Sequence, residues 1–285
     1  MKNGKWRGVL AAFSGVALLW GAQCVVSPAV AGNVNLLARA RAAGVIRIAN
    51  TQSSPPWSML GDDDKPTGYD VAVALEVAKC IGVPKVRFIA DTYKNFVEGL
   101  KTDKYDLVMN DLTPTAVRKE QVDFSVPYGV EIFRIFVRKD NADITSKASL
   151  KGKRIGVSTG SSNDTWARSH LPGSDIRGYD NSGLIFNDIA NGRIDAVIIS
   201  HFGGLRHAAA DRVPVKEVGE PLTYQLSAAA MAKGQPALRA AVDKALSGML
   251  ADGTIGRLGA KYIGKDYDMA GSIKKAEAQL KASGE

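Results

Sequence analysis

Cysteine is scarce in this chain: two residues of 285. Cys24 falls in an N-terminal leader, so removing that leader leaves Cys80 by itself and excludes an intramolecular disulfide. Cys80 ends an apolar helical stretch and is expected in the core. No run of Lys and Arg interleaved with aromatics is present, which takes away the main support for nucleic-acid binding. There is no phosphate-cradling glycine loop, no Ser-His-Asp set, no metal-ligand spacing and no repeat of fixed period. Gly61-Asp-Asp-Asp-Lys65 sets three acids in a row, but without the alternation of a calcium loop, and reads as a solvated turn. Neither a metal nor a cofactor is expected.

The rest of the composition is that of an ordinary soluble protein, 45% hydrophobic and 23% charged, with 29 Gly and 11 Pro. It is long enough for two lobes with separate cores. Net charge is +8, and losing Lys2, Lys5 and Arg7 with an acid-free leader leaves +5, a mild excess that serves solubility. In the leader a basic start precedes an apolar run over residues 9–26, and Ala29-Val-Ala31 is a small-residue cleavage site before Gly32. Residues 1–31 are therefore a signal peptide. An uncleaved anchor is weakened by Ser14, Gly15, Gly21 and Gln23. A lipoprotein built on Cys24 is disfavoured by the Ala22-Gln23 that precedes it.

Strands and helices alternate through the mature chain. Helical spacing over 34–43, a strand over 45–49, a helix opened by Gly68-Tyr-Asp70 with Val71, Leu75, Val77, Ala78 and Ile81, and a strand over 85–89 follow one another. The pattern restarts after a strand over 133–137, with a strand ending at Ser158, a helix from Asp164, and a buried strand reaching Ile199 with Ser200 and His201 just beyond. An amphipathic helix covers 237–250, a second helix 253–264, and the tail from Gly271 reads as a charged surface flap. Such β-α-β alternation is that of doubly wound α/β sheets.

The stretch Asp106-Leu-Val-Met-Asn-Asp-Leu-Thr113 runs from a short buried strand into polar positions, Asn110, Asp111 and Thr113, and then reaches Arg118. In an open α/β sheet, a strand ending in a polar loop with one placed Arg builds a carboxylate-binding mouth. Trp57, after Pro55-Pro56 at another strand's end, is placed to stack on a ligand.

Several segments taken together carry a resemblance to a known family: Gly68-Tyr-Asp-Val71, Lys104-Tyr-Asp-Leu-Val108, Thr115-Ala-Val-Arg118 before Val122-Asp-Phe-Ser-Val-Pro-Tyr128, Leu150-Lys-Gly-Lys-Arg-Ile-Gly-Val157, Thr159-Gly-Ser-Ser162, Gly192-Arg-Ile-Asp-Ala196 and Asp252-Gly-Thr254. In this order they resemble the periplasmic solute-binding proteins of ABC importers, family 3, the polar amino acid-binding type. The resemblance implies two doubly wound α/β lobes joined by two hinge strands, the type II periplasmic binding protein fold. Lobe one would be residues 33–129 with 228–285, lobe two 130–227, and the crossings would fall near 129–132 and 227–229. It implies a monomeric, non-enzymatic periplasmic protein that closes on an amino acid or related carboxylate and passes it to the membrane permease of an ABC transporter.

Carried over residue by residue, the resemblance makes Arg118 the bidentate carboxylate clamp, completed by Thr113, Ser161, Ser162 and backbone N–H groups, with Asn163 at the same helix start. Trp57 and Tyr93 become aromatic walls. Two departures stand out. Ser200 occupies the place of an Asp that grips the ligand's ammonium, and Asp111 stands where Ser or Gly is usual, so Asp111 is expected to take the cationic part of the ligand. Ser54 replaces a first-loop aromatic. Two other functions fit the same fold. In an exported dehydratase acting on prephenate-like acids, Asp164 would be the general acid, although an acid there is also a good helix cap. The other is an accessory or sensor protein without transport.

Overall fold

A computed structural model describes residues 35–210 and 212–283. The expected signal peptide lies outside them. Helix α1 (Leu36–Ala43) is capped by Asn35, whose side chain accepts from the Ala38 amide, and ends at Gly44 in the left-handed region. Strand β1 (Val45–Asn50) follows, then a three-stranded antiparallel sheet of β2 (Ser53–Ser54), β3 (Ser58–Leu60) and β4 (Pro66–Thr67). Next come α2 (Tyr69–Cys80), β5 (Lys85–Ala90), α3 (Tyr93–Lys101), β6 (Leu107–Val108) and α4 (Ala116–Gln121). Strand β7 (Val122–Arg138) leads to β8 (Arg154–Ser158), α5 (Ser162–His170), β9 (Asp175–Tyr179), α6 (Ser182–Ala190), β10 (Ala196–Ser200) and α7 (His201–Ala210). Strand β11 (Val215–Ala232) returns the chain to α8 (Pro236–Ala251), α9 (Thr254–Tyr262) and α10 (Met269–Ser283).

Eight strands form one sheet in the order β5-β1-β6-β11-β7-β10-β8-β9. At its two ends the neighbours are parallel, as βαβ crossovers require. In the middle, β7 and β11 run antiparallel along most of their length, seventeen and eighteen residues. Their register shifts between Val218 and Thr223 and again around Ser227–Ala230. Bulges of this kind bend and twist a ladder.

The apolar residues sort themselves along that sheet. Ile46, Ile48, Val73, Val77, Leu107, Leu238, Val242, Leu246 and Met269 share one buried cluster, and Phe96, Leu100, Val108, Phe124 and Ala230 another on the opposite face. Beyond the middle strands, Ile135, Val137, Leu150, Ile155 and Ile198 form a third, and Phe136, Ile185, Phe186, Ile189 and Val197 a fourth. This is a mixed α/β chain with covered sheet faces at both ends, the expected class.

Four expectations need correction. Cys80 is exposed, because α2 buries Val73, Ala74, Val77 and Ala78 and turns Cys80 with Lys79 to solvent. Leu75 lies off the same stripe and is 42% exposed. No strand is expected around Pro55-Pro56 or on either side of the turn at 61–65, yet β2, β3 and β4 form a small sheet there. The tail is no flap: α10 buries Met269, Ile273 and Ala276 in the first cluster. Met269→Ala is therefore expected to cost about 2–4 kcal/mol, a fall in Tm of several degrees in a thermal melt, whereas a surface flap would give no change.

Candidate functional site

Between the two pairs of clusters, where β6, β7, β8 and β10 end or cross, lies a small cavity. Ser54, Pro55, Trp57, Tyr93, Asp111 and Glu131 line one part, and Ser158, Ser161, Ser162, Asn163, Ser182, Ser200 and His207 line the other, with Phe133 and Ile199 between. Seven residues expected from sequence meet there: Trp57, Tyr93, Asp111, Ser161, Ser162, Asn163 and Ser200. Asn110, Thr113 and Arg118 do not line it.

Trp57 is 2% exposed and meets the edge of Tyr69 at 5.7 Å, which stacks on Tyr128 in turn. Its indole N–H has no partner among the described residues. Tyr93 is the first residue of α3 and packs edge-on against Phe96 at 5.4 Å. On the opposite wall α5 begins. Ser161 is its N-cap, accepting from the Asp164 amide and donating to the Ser158 carbonyl at 2.6 Å. Asn163 Oδ1 lies against the same Ser161 hydroxyl as a competing acceptor, and Asn163 Nδ2 donates to the Ile198 carbonyl at 2.7 Å. These bonds fix the helix start, whose free N–H groups and dipole favour an anion. Ser200 Oγ accepts from the Gly203 amide at 3.1 Å, holding the entry to α7.

The three residues outside the cavity act as fasteners. Asn110 Oδ1 accepts from the Thr51 amide at 2.7 Å and from Ser58 Oγ at 2.5 Å, tying β3 to the end of β1. Thr113 Oγ1 is 3.0 Å from Ser162 Oγ. Arg118, on α4 and 8% exposed, donates to the Thr113 carbonyl at 2.9 Å and the Gly160 carbonyl at 2.8 Å. Burial pulls its pKa down to about 10, so it stays protonated at neutral pH. Lys94 and Asp180 pair at 2.6 Å between the same two parts of the chain. Arg118, Thr113 and Lys94 thus close one wall on the other.

Glu131 and His207 were not expected. Glu131 had a signal in the sequence, a single acid inside the apolar run Val130–Phe133 of a strand. His207 had none beyond its place two turns after Ser200. Trp166 stacks on His170 at 4.7 Å under Lys147 and packs on the third cluster, away from the cavity. His201 is bound to Glu217 at 2.5 Å, away from the cavity. Asp164 accepts from the Gly160 amide at 2.9 Å and from Arg168 at 2.7 Å.

The electrostatics are unusual for a site with so few cations. Burial raises the pKa of Asp70, behind the cavity, to about 7; the Tyr128 hydroxyl beside it only partly offsets this. Burial likewise raises Asp111 well above the usual carboxylate range, helped by the charges of Glu131 and Asp70. Glu131 is raised by burial too, against the opposing influence of Ser200 and Asp111 beside it. Among the described residues no His, Cys, Asp and Glu cluster could hold a metal ion, and no helix is long and apolar enough to cross a membrane.

A narrow polar cavity gripped from two sides of a sheet, each with its own core, defines a two-lobed binding protein. The chain belongs to the bacterial extracellular solute-binding proteins, family 3, whose model matches residues 46–265. It is 32% identical over 232 residues to the L-cystine-binding protein TcyJ of Escherichia coli (strain K12), covering 81% of this chain and 87% of that protein. An ancestral arginine-binding protein bound to glutamine superposes with a TM-score of 0.74 at 32% identity, over 78% of this chain and 98% of its own. An ancestral amino acid-binding protein that is a precursor of cyclohexadienyl dehydratase gives a TM-score of 0.73 at 31% identity, over 80% and 99%. These relatives have the two-lobe fold, and solute binding is the role they share with this family.

Gly160 packs tightly against Lys94 of the other wall. Its φ is +76°, and a Cβ there would sit 2.8 Å from the Lys94 Cα. Gly160→Ala is therefore expected to weaken, by roughly tenfold or more, any solute that closes the wild-type cleft, while its own Tm drops only a few degrees. Unchanged affinity in a titration would mean that Lys94 and Gly160 do not meet in the bound state.

Proposed function

We propose that the mature chain captures an amino acid or amino-acid-like carboxylate between two lobes in the periplasm and delivers it to the permease of an ABC transporter, acting as a monomer without catalysing a reaction. The lobes would be residues 33–129 with 228–285, and residues 130–227. The observation that carries this reading is the cavity itself: polar groups from both walls converge on it and separate contacts lock the walls together. Its two ends differ in charge preference. The α5 start, with Ser161, Ser162 and Asn163, suits a carboxylate, while Asp111 faces it from the other wall. Arg118, outside the cavity lining, bonds the Thr113 and Gly160 carbonyls and so holds the two walls around the bound solute. The export leader supports the periplasm, and the relatives' names support an amino acid. Against a dehydratase, Asp164 is held by Arg168 and the Gly160 amide and does not line the cavity, which fits a helix cap better than a general acid.

The test is a panel of standard amino acids, betaines, opines, polyamines and small dicarboxylates, read by thermal shift and Trp fluorescence. Without the leader only Trp57 and Trp166 remain, and Trp57 alone lines the cavity. A ligand at a hundred times its Kd adds about 2.7 kcal/mol of stability, roughly 5–10 °C in Tm for a chain this size. The expected result is a shift confined to one chemical class and abolished in Arg118→Ala. No shift for any compound with a well-folded protein would refute solute capture.

A further inference from the structure

Two acids at one end of the cavity are not accounted for by packing. Asp111 follows β6 with φ +48° and accepts a hydrogen bond from Ser227 Oγ on β11. Glu131 lies on β7, 2% exposed, and its Oε1 has no hydrogen-bond donor among the described residues. What stands beside the Glu131 carboxyl is the Asp111 carboxyl and the Ser200 hydroxyl. The strand register explains the meeting. Ser200 on β10 pairs with Phe133 on β7, so Glu131, two residues along, projects on the same face as a diagonal neighbour.

The charges around the pair are lopsided. Asp70 from α2 adds a third acid, and Tyr93 from α3, Tyr128 from β7, Tyr267 before α10 and His207 from α7 face the same region. Arg118 from α4 is the guanidinium nearby, and it donates to the Thr113 and Gly160 carbonyls. Two adjacent buried carboxyls do not both ionise readily, so they hold a proton in common. A buried charge lacking a counterion is costly, and it ceases to be so when a cation arrives. The acids are not set out as a metal site, which leaves an organic cation.

Resting on the solute-binding reading, we propose that Glu131 and Asp111 form the cation end of the cleft, and that the bound solute carries a positively charged nitrogen which replaces the proton shared by the pair. The exchange balances: the solute keeps its own charge, the pair passes from one negative charge to two around it, and one proton leaves to solvent. The specificity so produced is for a compact solute with a carboxylate at the α5 end and a cation at the hinge end.

The pair also makes a prediction for the ligand-free protein. A carboxyl whose folded pKa is raised stabilises the fold fully below its unfolded pKa near 4, and that stability is lost as pH rises through the folded value. Asp70 at about 7, and the raised pair, set the window. Tm should fall from about pH 5.5 to 8.5, and the fall should be smaller in Glu131→Gln, an isosteric change that keeps the fold.

The deciding experiment is calorimetry at pH 7 in phosphate and in Tris, with L-arginine, putrescine, glycine betaine, succinate and any hit from the wider panel as probes. The expected result is that binding probes carry a cationic nitrogen and release on the order of one proton each, and that Glu131→Gln weakens them by roughly thirtyfold or more and abolishes the release. If succinate or another uncharged-nitrogen or nitrogen-free probe is the one that binds, or if Glu131→Gln binds as tightly as wild type, the cation end is overturned and solute capture stands. A Tm that is flat from pH 5.5 to 8.5 in the ligand-free protein overturns it whatever the probes show, and silence from every probe overturns both readings.

Discussion

The antiparallel ladder between β7 and β11 is the constraint on which the rest of the structure depends. Both strands extend past the length that one core covers: β7 contributes Val122 and Val130 to clusters at one end of the sheet and Ile135 and Val137 at the other, and β11 contributes Ala229 and Met231 at the first end and packs Val215 and Val218 at the second. Parallel βαβ units at either end cannot reach one another except through these two strands and β10. The irregular register near Ser227–Ala230 bends the ladder where the cavity lies. It also puts the Ser227 hydroxyl on Asp111 and Glu131 opposite Gln225. A single structural feature therefore joins the halves and carries the acids of the site.

Around that ladder the cleft is assembled from helix starts and strand ends, where main-chain groups lack partners and side chains must supply them. Ser161 and Asn163 spend their hydrogen bonds on local geometry, and in doing so aim the α5 N-terminus at the cavity. Closure rests on few contacts: Thr113 with Ser162, Arg118 with Gly160, and Lys94 with Asp180. The last is exposed at both ends and contributes little. A lock this light can open, as a protein that loads and releases a solute requires.

Much of this was legible in the sequence. Alternating apolar runs marked β1, α2, β5 and α8 within a few residues, and the ordered motifs pointed to the family that the comparisons establish. Trp57, Asp111, Ser161 and Ser200, named from strand ends, a helix start and the family resemblance, all line one cavity. The failures have physical causes. Helical spacing gave no phase, so Leu75 and Cys80 were assigned to the buried stripe of α2 although they lie on its outer side. The tail looked charged, but Met269, Ile273 and Ala276 recur at three- and four-residue spacing and bury that edge. Arg118 was legible as an important residue, but not its two carbonyl partners from opposite walls, which depend on how the halves close. Glu131 was not legible because the loss of an acid at Ser200 has a ready counterpart in Asp111, and nothing in the sequence brings a second strand's acid to the same place. The neighbouring strand's carboxyl reaches the same hydroxyl, a relation that only the register of β7 on β10 supplies.

The central claim is that the Asp111 and Glu131 carboxyls share a proton in the ligand-free protein. Carbon-13 NMR of the side-chain carboxyls, with Asp111 and Glu131 assigned by Asn and Gln replacement, reads this directly. The account predicts that at least one of the pair titrates far above the ordinary range near 4, and that saturation with a bound cationic solute lowers it. Two ordinary titrations near 4, unmoved by the solute, would contradict it.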